Sequence, residues 1–281
     1  MSGTPVSYTL NTMGQDTAIA GLQVLIIEDD VVVRELLEML LPMEGHSILS
    51  AASAAEGLAL LEQHKTGINV VLCDLHLPDM GPAELGSRLR AICPPSVLLI
   101  GMSATQATTV ELQSFDDFLL KPFQPGELTA AVVAAKVRDG SSAHLPHAAA
   151  DSVTGGASVS EEVGLEIEAA DRAATPALDE AIFATLSATL PGPQLLELYN
   201  LTVQDVAQRV ERMSAARASG DLDLYRREAH AIKGGCGMVG AVELRDLATL
   251  AEGGAPECTP PIEDFMRACA RLRRMLNVRL T

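Results

Sequence analysis

The chain has 281 residues, room for two ordinary domains, and sets 37 acidic against 20 basic side chains for a formal charge of -17. No region is basic, so the counterion release that drives DNA or RNA binding has no clustered Lys and Arg to support it, and protein partners are expected instead of nucleic acid. The five cysteines form no CxxC pair, against a disulfide framework or a zinc site; no segment nears the roughly eighteen apolar residues that span a bilayer, so no membrane partner and a cytoplasmic location are expected.

Residues 1–20, rich in Ser, Thr, Gly and Asn, read as a disordered tail. From 21 to 138 short apolar runs alternate with longer amphipathic ones, the pattern of a parallel sheet covered on both faces. The runs Val24 to Ile27, Ser47 to Ala51, Val70 to Cys73, Val97 to Met102 and Phe118 to Leu120 predict five strands with helical stretches between them. Leu36, Leu37, Leu40 and Leu41 form the apolar stripe of the first helix, and Pro42 is its expected stop. Residues 139–176 are rich in Gly, Ser, Ala and acids, and read as an acidic flexible linker. A short helix around Glu161 to Ala170 fits there, and His144 and His147 read as incidental. As a coil, this linker has a root-mean-square span of about 35 Å.

From 177 to 281 the pattern is helical throughout. Leu195, Leu198, Tyr199, Val203, Val206, Val210 and Met213 recur at three- and four-residue spacing, as a helix facing a bundle core requires. Ser219-Gly220-Asp221 predicts a helix end followed by a capped helix start, and further helices are expected near Val242 to Glu252 and Ile262 to Val278.

In open parallel sheets the ligand site lies beyond the carboxyl ends of the strands. Those ends carry Glu28 and Asp29 after the first run, Asp74 after the third, Ser103 after the fourth, and Lys121 then Pro122 after the fifth. Three crowded carboxylates repel unless a divalent cation neutralises them, and a hard ion such as Mg²⁺ suits the site. The strings VLIIEDD, LCDLHLP, GMSA and LLKPF, in this order, make residues 21–138 resemble a response-regulator receiver domain. The resemblance implies a flavodoxin-like, doubly wound five-stranded parallel sheet of order 2-1-3-4-5. It implies Asp74 as phosphoacceptor, with Mg²⁺ held by Glu28, Asp29, Asp74 and the backbone carbonyl of His76. Ser103 and Lys121 would contact the phosphoryl oxygens. Phe118 matches the family's switch aromatic and reads equally as a core phenylalanine. Ser103 replaces the commoner Thr, and Pro82 stands where a charged or glycine-rich turn is more usual.

On a helical wheel Leu222, Tyr225, Ala229, Ile232, Cys236 and Val239 fall within an arc of about 100°, and His230 lies about 130° from its centre, toward solvent. Gly within a helix costs roughly 1 kcal/mol relative to Ala, so Gly234, Gly235 and Gly237 ask for compensation from a closely approaching surface. The string HAIKGGCGMVGA resembles the phosphoacceptor motif of histidine phosphotransfer (HPt) domains, all-α helical bundles. The resemblance implies His230 as acceptor, Lys233 as the cation one turn on and Gly234 as the docking residue; Gly235 stands where the family often carries Ser.

An ATP-dependent kinase needs a nucleotide domain after its acceptor helix, and the sequence after His230 shows none, so a phosphotransfer intermediate is expected, not a kinase. A haloacid-type phosphatase needs an Asp where His76 stands. Arg267, Arg271 and Arg274 share a helix face that a DNA-binding domain could use, but they read as a solvated face. The expected partners are a sensor histidine kinase, hybrid or separate, and a downstream response regulator. The alternative is a phosphate sink or docking regulator whose two domains serve different pathways.

Overall fold

The computed structural model describes residues 21–64, 67–124, 126–132, 176–253 and 260–280. The expected N-terminal tail, nearly all of the linker, its short helix, and His144 and His147 lie outside the described residues. The first half runs β1 (Gln23–Ile27), α1 (Val31–Met43), β2 (Ser47–Ala51), α2 (Ala54–Gln63), β3 (Val70–Asp74), α3 (Pro82–Ile92), β4 (Leu98–Ser103), β5 (Asp117–Leu120) and a helical stretch over 126–132, α4. The strands form one parallel sheet of order β2-β1-β3-β4-β5. β3 and β4 are buried along their whole length, which is why they read as unbroken apolar runs. Alternation divides the layers: Val24, Ile26, Val70, Leu72 and Ile100 face α1, while Leu25, Ile27, Val71, Cys73 and Leu99 face α2 and α3.

The α1 stripe is buried as expected, but the helix runs one residue past Pro42. Glu44 and Gly45 close its end by donating to the carbonyls of Leu41 and Pro42. Pro82 opens α3 at its first turn, where a missing N–H costs nothing. A larger difference lies between β4 and β5, where no helix forms: residues 104–116 are bends and turns. Glu111 takes both the N–H and the hydroxyl of Thr108, closing a single turn. Phe115 then folds against Gly86 of α3, and the Asp116 carboxylate accepts from the Leu99 N–H.

The second half is helical: α5 (Glu180–Thr189), α6 (Gly192–Ser219), α7 (Leu222–Met238), α8 (Val242–Gly253) and α9 (Ile262–Leu280). The seven apolar residues expected on α6 are all buried. Gly220 caps α6 with φ 79°, a left-handed conformation that favours glycine, and Asp221 caps α7 through the Leu224 N–H. On α7 the expected core face is buried except for Leu222, which is 40% exposed. Two of the three arginines read as a solvated face are paired with acids, Arg267 with Asp264 and Arg271 with Glu243.

The two halves pack on each other. α1 lies against α6 and α7, and one apolar cluster runs from the sheet through α1 into the bundle core. A crevice at this seam is lined by Leu36, Leu40, Phe123, Ile182 and Leu186.

Candidate phosphotransfer site

Three sheet strands deliver the acidic pocket. β1 leads into Glu28 and Asp29, β3 ends at Asp74, and the three carboxylates offer atoms within 4.8 Å of one another. The Arg34 guanidinium, on the first turns of α1, donates to the carbonyl of Glu28 at 2.7 Å and fixes the loop that carries the acids. β5 delivers Lys121, whose Nζ donates to Glu28 Oε2 at 2.6 Å and Asp74 Oδ2 at 2.7 Å with its side chain almost fully buried. Burial would lower the Lys121 pKa, but Asp74 and Glu28 outweigh it and push it up, so the ammonium stays charged.

The acids are not equivalent. Burial pushes the carboxyl of Glu28 well above its usual range. Asp29 is raised to about 6, by burial first and then by Asp74 and Asp30. Asp74 is held below its usual value: burial would raise it, but the charge and hydrogen bond of Lys121 and the N–H of His76, at 2.8 Å from Oδ1, prevail. One lysine cannot neutralise three carboxylates, and the two raised groups ask for a second cation. The donor set, all carboxylate oxygen, fits a hard divalent ion.

Ser103 ends β4 fully buried, its Oγ 3.2 Å from His76 Nδ1 and accepting from the Thr105 N–H at 3.0 Å. Phe118 is partly buried on β5, opposite Gly101. His76 therefore touches Asp74 through its backbone and Ser103 through its ring.

His230, expected to face solvent, faces the receiver half instead. Its side chain is 27% exposed and its ring centroid lies 5.7 Å from that of His76. Behind it, Glu252 of α8 lies 2.6 Å from His230 Nδ1 and accepts from Lys233 Nζ at 3.0 Å. Burial would raise the Glu252 pKa, but the bonds to His230 and Lys233 lower it. An ionised carboxylate only accepts, so Nδ1 carries the hydrogen, and in the neutral form of the ring the lone pair lies on Nε2.

Of the three glycines on α7, a Cβ on Gly234 would meet open space. One on Gly235 would stand 3.1 Å from Asp30 Oδ1 and 3.4 Å from Val32, and one on Gly237 would approach Pro122. The close approach thus falls on Gly235, not on the expected Gly234, and a Ser side chain at 235 would crowd the Asp30 carboxylate. Glu252, Arg34 and Asp30 escaped the sequence reading. Asp30 caps α1, accepting from the N–H groups of Val32 and Val33.

A family model described as the response regulator receiver domain matches residues 24–133, and one described as the Hpt domain matches 197–278. Among curated proteins the chain is similar to the transcriptional regulatory protein AfsQ1 of Streptomyces coelicolor, 34% identical over 118 residues, 41% of this chain and 51% of that protein. It is also similar to an uncharacterized 14.6 kDa protein of Leptolyngbya boryana, 31% identical over 115 residues, 39% of this chain and 86% of that protein. Among solved structures it resembles the response regulator TrrA of Thermotoga maritima, with 23% identity, a TM-score of 0.37, and coverage of 41% of this chain and 98% of that one. The chain spans about half the length of the first curated relatives it matches, 48% and 46%.

The chain belongs to the two-component family as a receiver domain fused to an HPt domain. Among the described residues no helix is long and apolar enough to cross a membrane.

Proposed function

We propose that this protein passes a phosphoryl group between Asp74 and His230, linking a sensor histidine kinase to a downstream response regulator. The observation that carries the reading is the seam geometry: the imidazole of His230 faces that of His76, and the backbone N–H of His76 donates to Asp74. Glu28, Asp29, Asp74 and the His76 carbonyl would hold Mg²⁺, which supplies charge neutralisation at the phosphoryl oxygens. Lys121 and Ser103 bind and orient those oxygens, the ammonium from the Asp74 side and the hydroxyl from β4. Phe118 serves as the switch aromatic beside them.

For transfer to His230, the lone pair of Nε2 forms the P–N bond while the P–O bond to Asp74 breaks and its electron pair returns to the carboxylate. No proton has to leave. The Nδ1 hydrogen stays bonded to Glu252, which offsets the positive charge gained by the ring, and Lys233 lies one turn on to meet the phosphoryl oxygens. The domain limits proposed are 21–138 and 177–281, with 139–176 as tether.

A radiolabel chase tests the reading. Label placed on Asp74 of the intact chain should appear on His230, and Asp74→Asn or His230→Gln should each abolish that appearance. Label lost from Asp74 as inorganic phosphate without passing through His230 would favour a phosphate sink.

A further inference from the structure

We propose that Arg209 is a specificity-determining residue: through Asp30 it assigns His230 to the receiver of its own chain ahead of any other receiver. The proposal rests on the reading that Asp74 and His230 exchange phosphate. Arg209 lies on α6, one face away from His230, with its side chain 11% exposed. Its Nε donates to Asp205 Oδ2 at 2.6 Å, its Nη1 reaches Glu228 Oε2 at 3.4 Å, and its Nη2 crosses the seam to Asp30 Oδ2 at 3.3 Å. Arg212 holds Glu228 from the other side at 2.9 and 3.0 Å.

Both ends of the cross-domain bond are fixed before they meet. On the bundle, Asp205 and Glu228 aim the guanidinium fork. On the receiver, Asp30 Oδ1 is committed to the N–H groups of Val32 and Val33, at 2.9 and 3.1 Å, which leaves Oδ2 for Arg209. Gly235 supplies the gap into which this carboxylate fits. A receiver with a neutral cap at this position leaves a largely desolvated guanidinium without its third acid, and a larger side chain meets α7. Charge and shape therefore read the same residue.

The surface that accepts Asp30 is the surface around His230, so the chain's own receiver covers it. Tethering holds that receiver at an effective concentration on the order of millimolar. An outside receiver carrying the same acid must displace it, and one without the acid competes poorly.

Two full-length chains test this. Chain one carries His230 with Asp74→Asn; chain two carries Asp74 with His230→Gln and Arg209→Gln, so that its own bundle makes no bond to its Asp30, and is labelled with acetyl phosphate and Mg²⁺. Label reaching His230 must then pass between molecules. Asp30→Asn preserves the helix cap and removes the charge. Placed in chain one it weakens only the resident cover, and transfer between molecules should rise about tenfold. Placed in chain two it weakens the incoming receiver, and transfer should fall about tenfold. A folding defect would lower both. In a third measurement, Arg209→Gln in the otherwise unaltered chain should slow transfer within the molecule while leaving acetyl phosphate labelling of Asp74 unchanged. The same response to Asp30→Asn in both placements, or none, overturns the role of Arg209. Absence of label on His230 in every combination, the unaltered chain included, overturns the relay itself.

Discussion

His76 and His230 face each other across the seam between receiver and bundle, ring centroids 5.7 Å apart and planes inclined by 50°. His76 lies two residues from Asp74, the proposed first acceptor, and His230 is the proposed second.

The first prediction concerns the acid behind His230. Replacing Glu252 by Ala removes both the acceptor for the Nδ1 hydrogen and the charge that offsets the imidazolium. Rapid-quench transfer to His230 should slow about a hundredfold, the lower end of what positioned proton-handling groups supply. Glu252→Gln, which keeps an acceptor but not the charge, should fall between. Nitrogen NMR of the ring should report the Nδ1–H tautomer in the unaltered chain and a mixture in Glu252→Ala. An unchanged tautomer with unchanged rate would refute this role.

A second prediction separates two neighbouring glycines. Gly234→Ala adds a methyl group to open space and gains helix propensity, so thermal stability should rise by about 1 kcal/mol with transfer unaltered. Gly235→Ala has the same propensity gain but pushes its methyl against the Asp30 carboxylate and Val32. Transfer within the molecule should drop. The pair is checked by calorimetry beside the label chase, and the reverse ranking would place the close contact at residue 234.

The third prediction is a pH dependence of stability without metal. Asp29, at about 6, sits above its unfolded value near 3.8, so the folded state binds the proton more tightly. A raised pKa contributes stability that is present at low pH and lost as pH rises through 6. Glu28 acts in the same direction. Asp74 acts oppositely, but its lowered value confines that effect to the acid side of 3.8. Melting temperature measured in chelator should therefore rise as pH falls from 7.5 to 5, and saturating Mg²⁺ at the upper pH should recover most of the difference. A flat profile in chelator would argue against crowded charge in the pocket.

The fourth prediction addresses the acceptor itself. Acetyl phosphate or beryllofluoride should modify the chain only with Mg²⁺, and Asp74→Asn should abolish the reaction. Metal-dependent label retained at another residue after that substitution would move the assignment.

The sheet and the acids at its edge could be read from sequence because strand and site share one cause. Each buried strand is a short apolar run, and the residue that ends it emerges at the same edge, so Glu28, Asp29, Asp74, Ser103 and Lys121 announced themselves by position. Arg209, Asp30 and Glu252 did not, because their partners come from other helices or from the far side of the linker. Local periodicity gives a helix its buried face but not the neighbour that covers the rest, which is why His230 read as solvent-facing. The turn between β4 and β5 was equally hidden. Its outcome depends on Thr108 and Glu111 closing one turn and on Phe115 finding Gly86, contacts that no spacing rule contains.

The apolar cluster that continues from α1 into the bundle gives the contact between the two halves a thermal character. Opening the seam wets Leu36, Leu40 and Ile182, and exposure of such surface carries a positive heat-capacity change. The closed form then has a temperature of greatest stability and loosens on either side of it. The contact between the two halves, and with it the cover over His230, is therefore expected to vary with temperature.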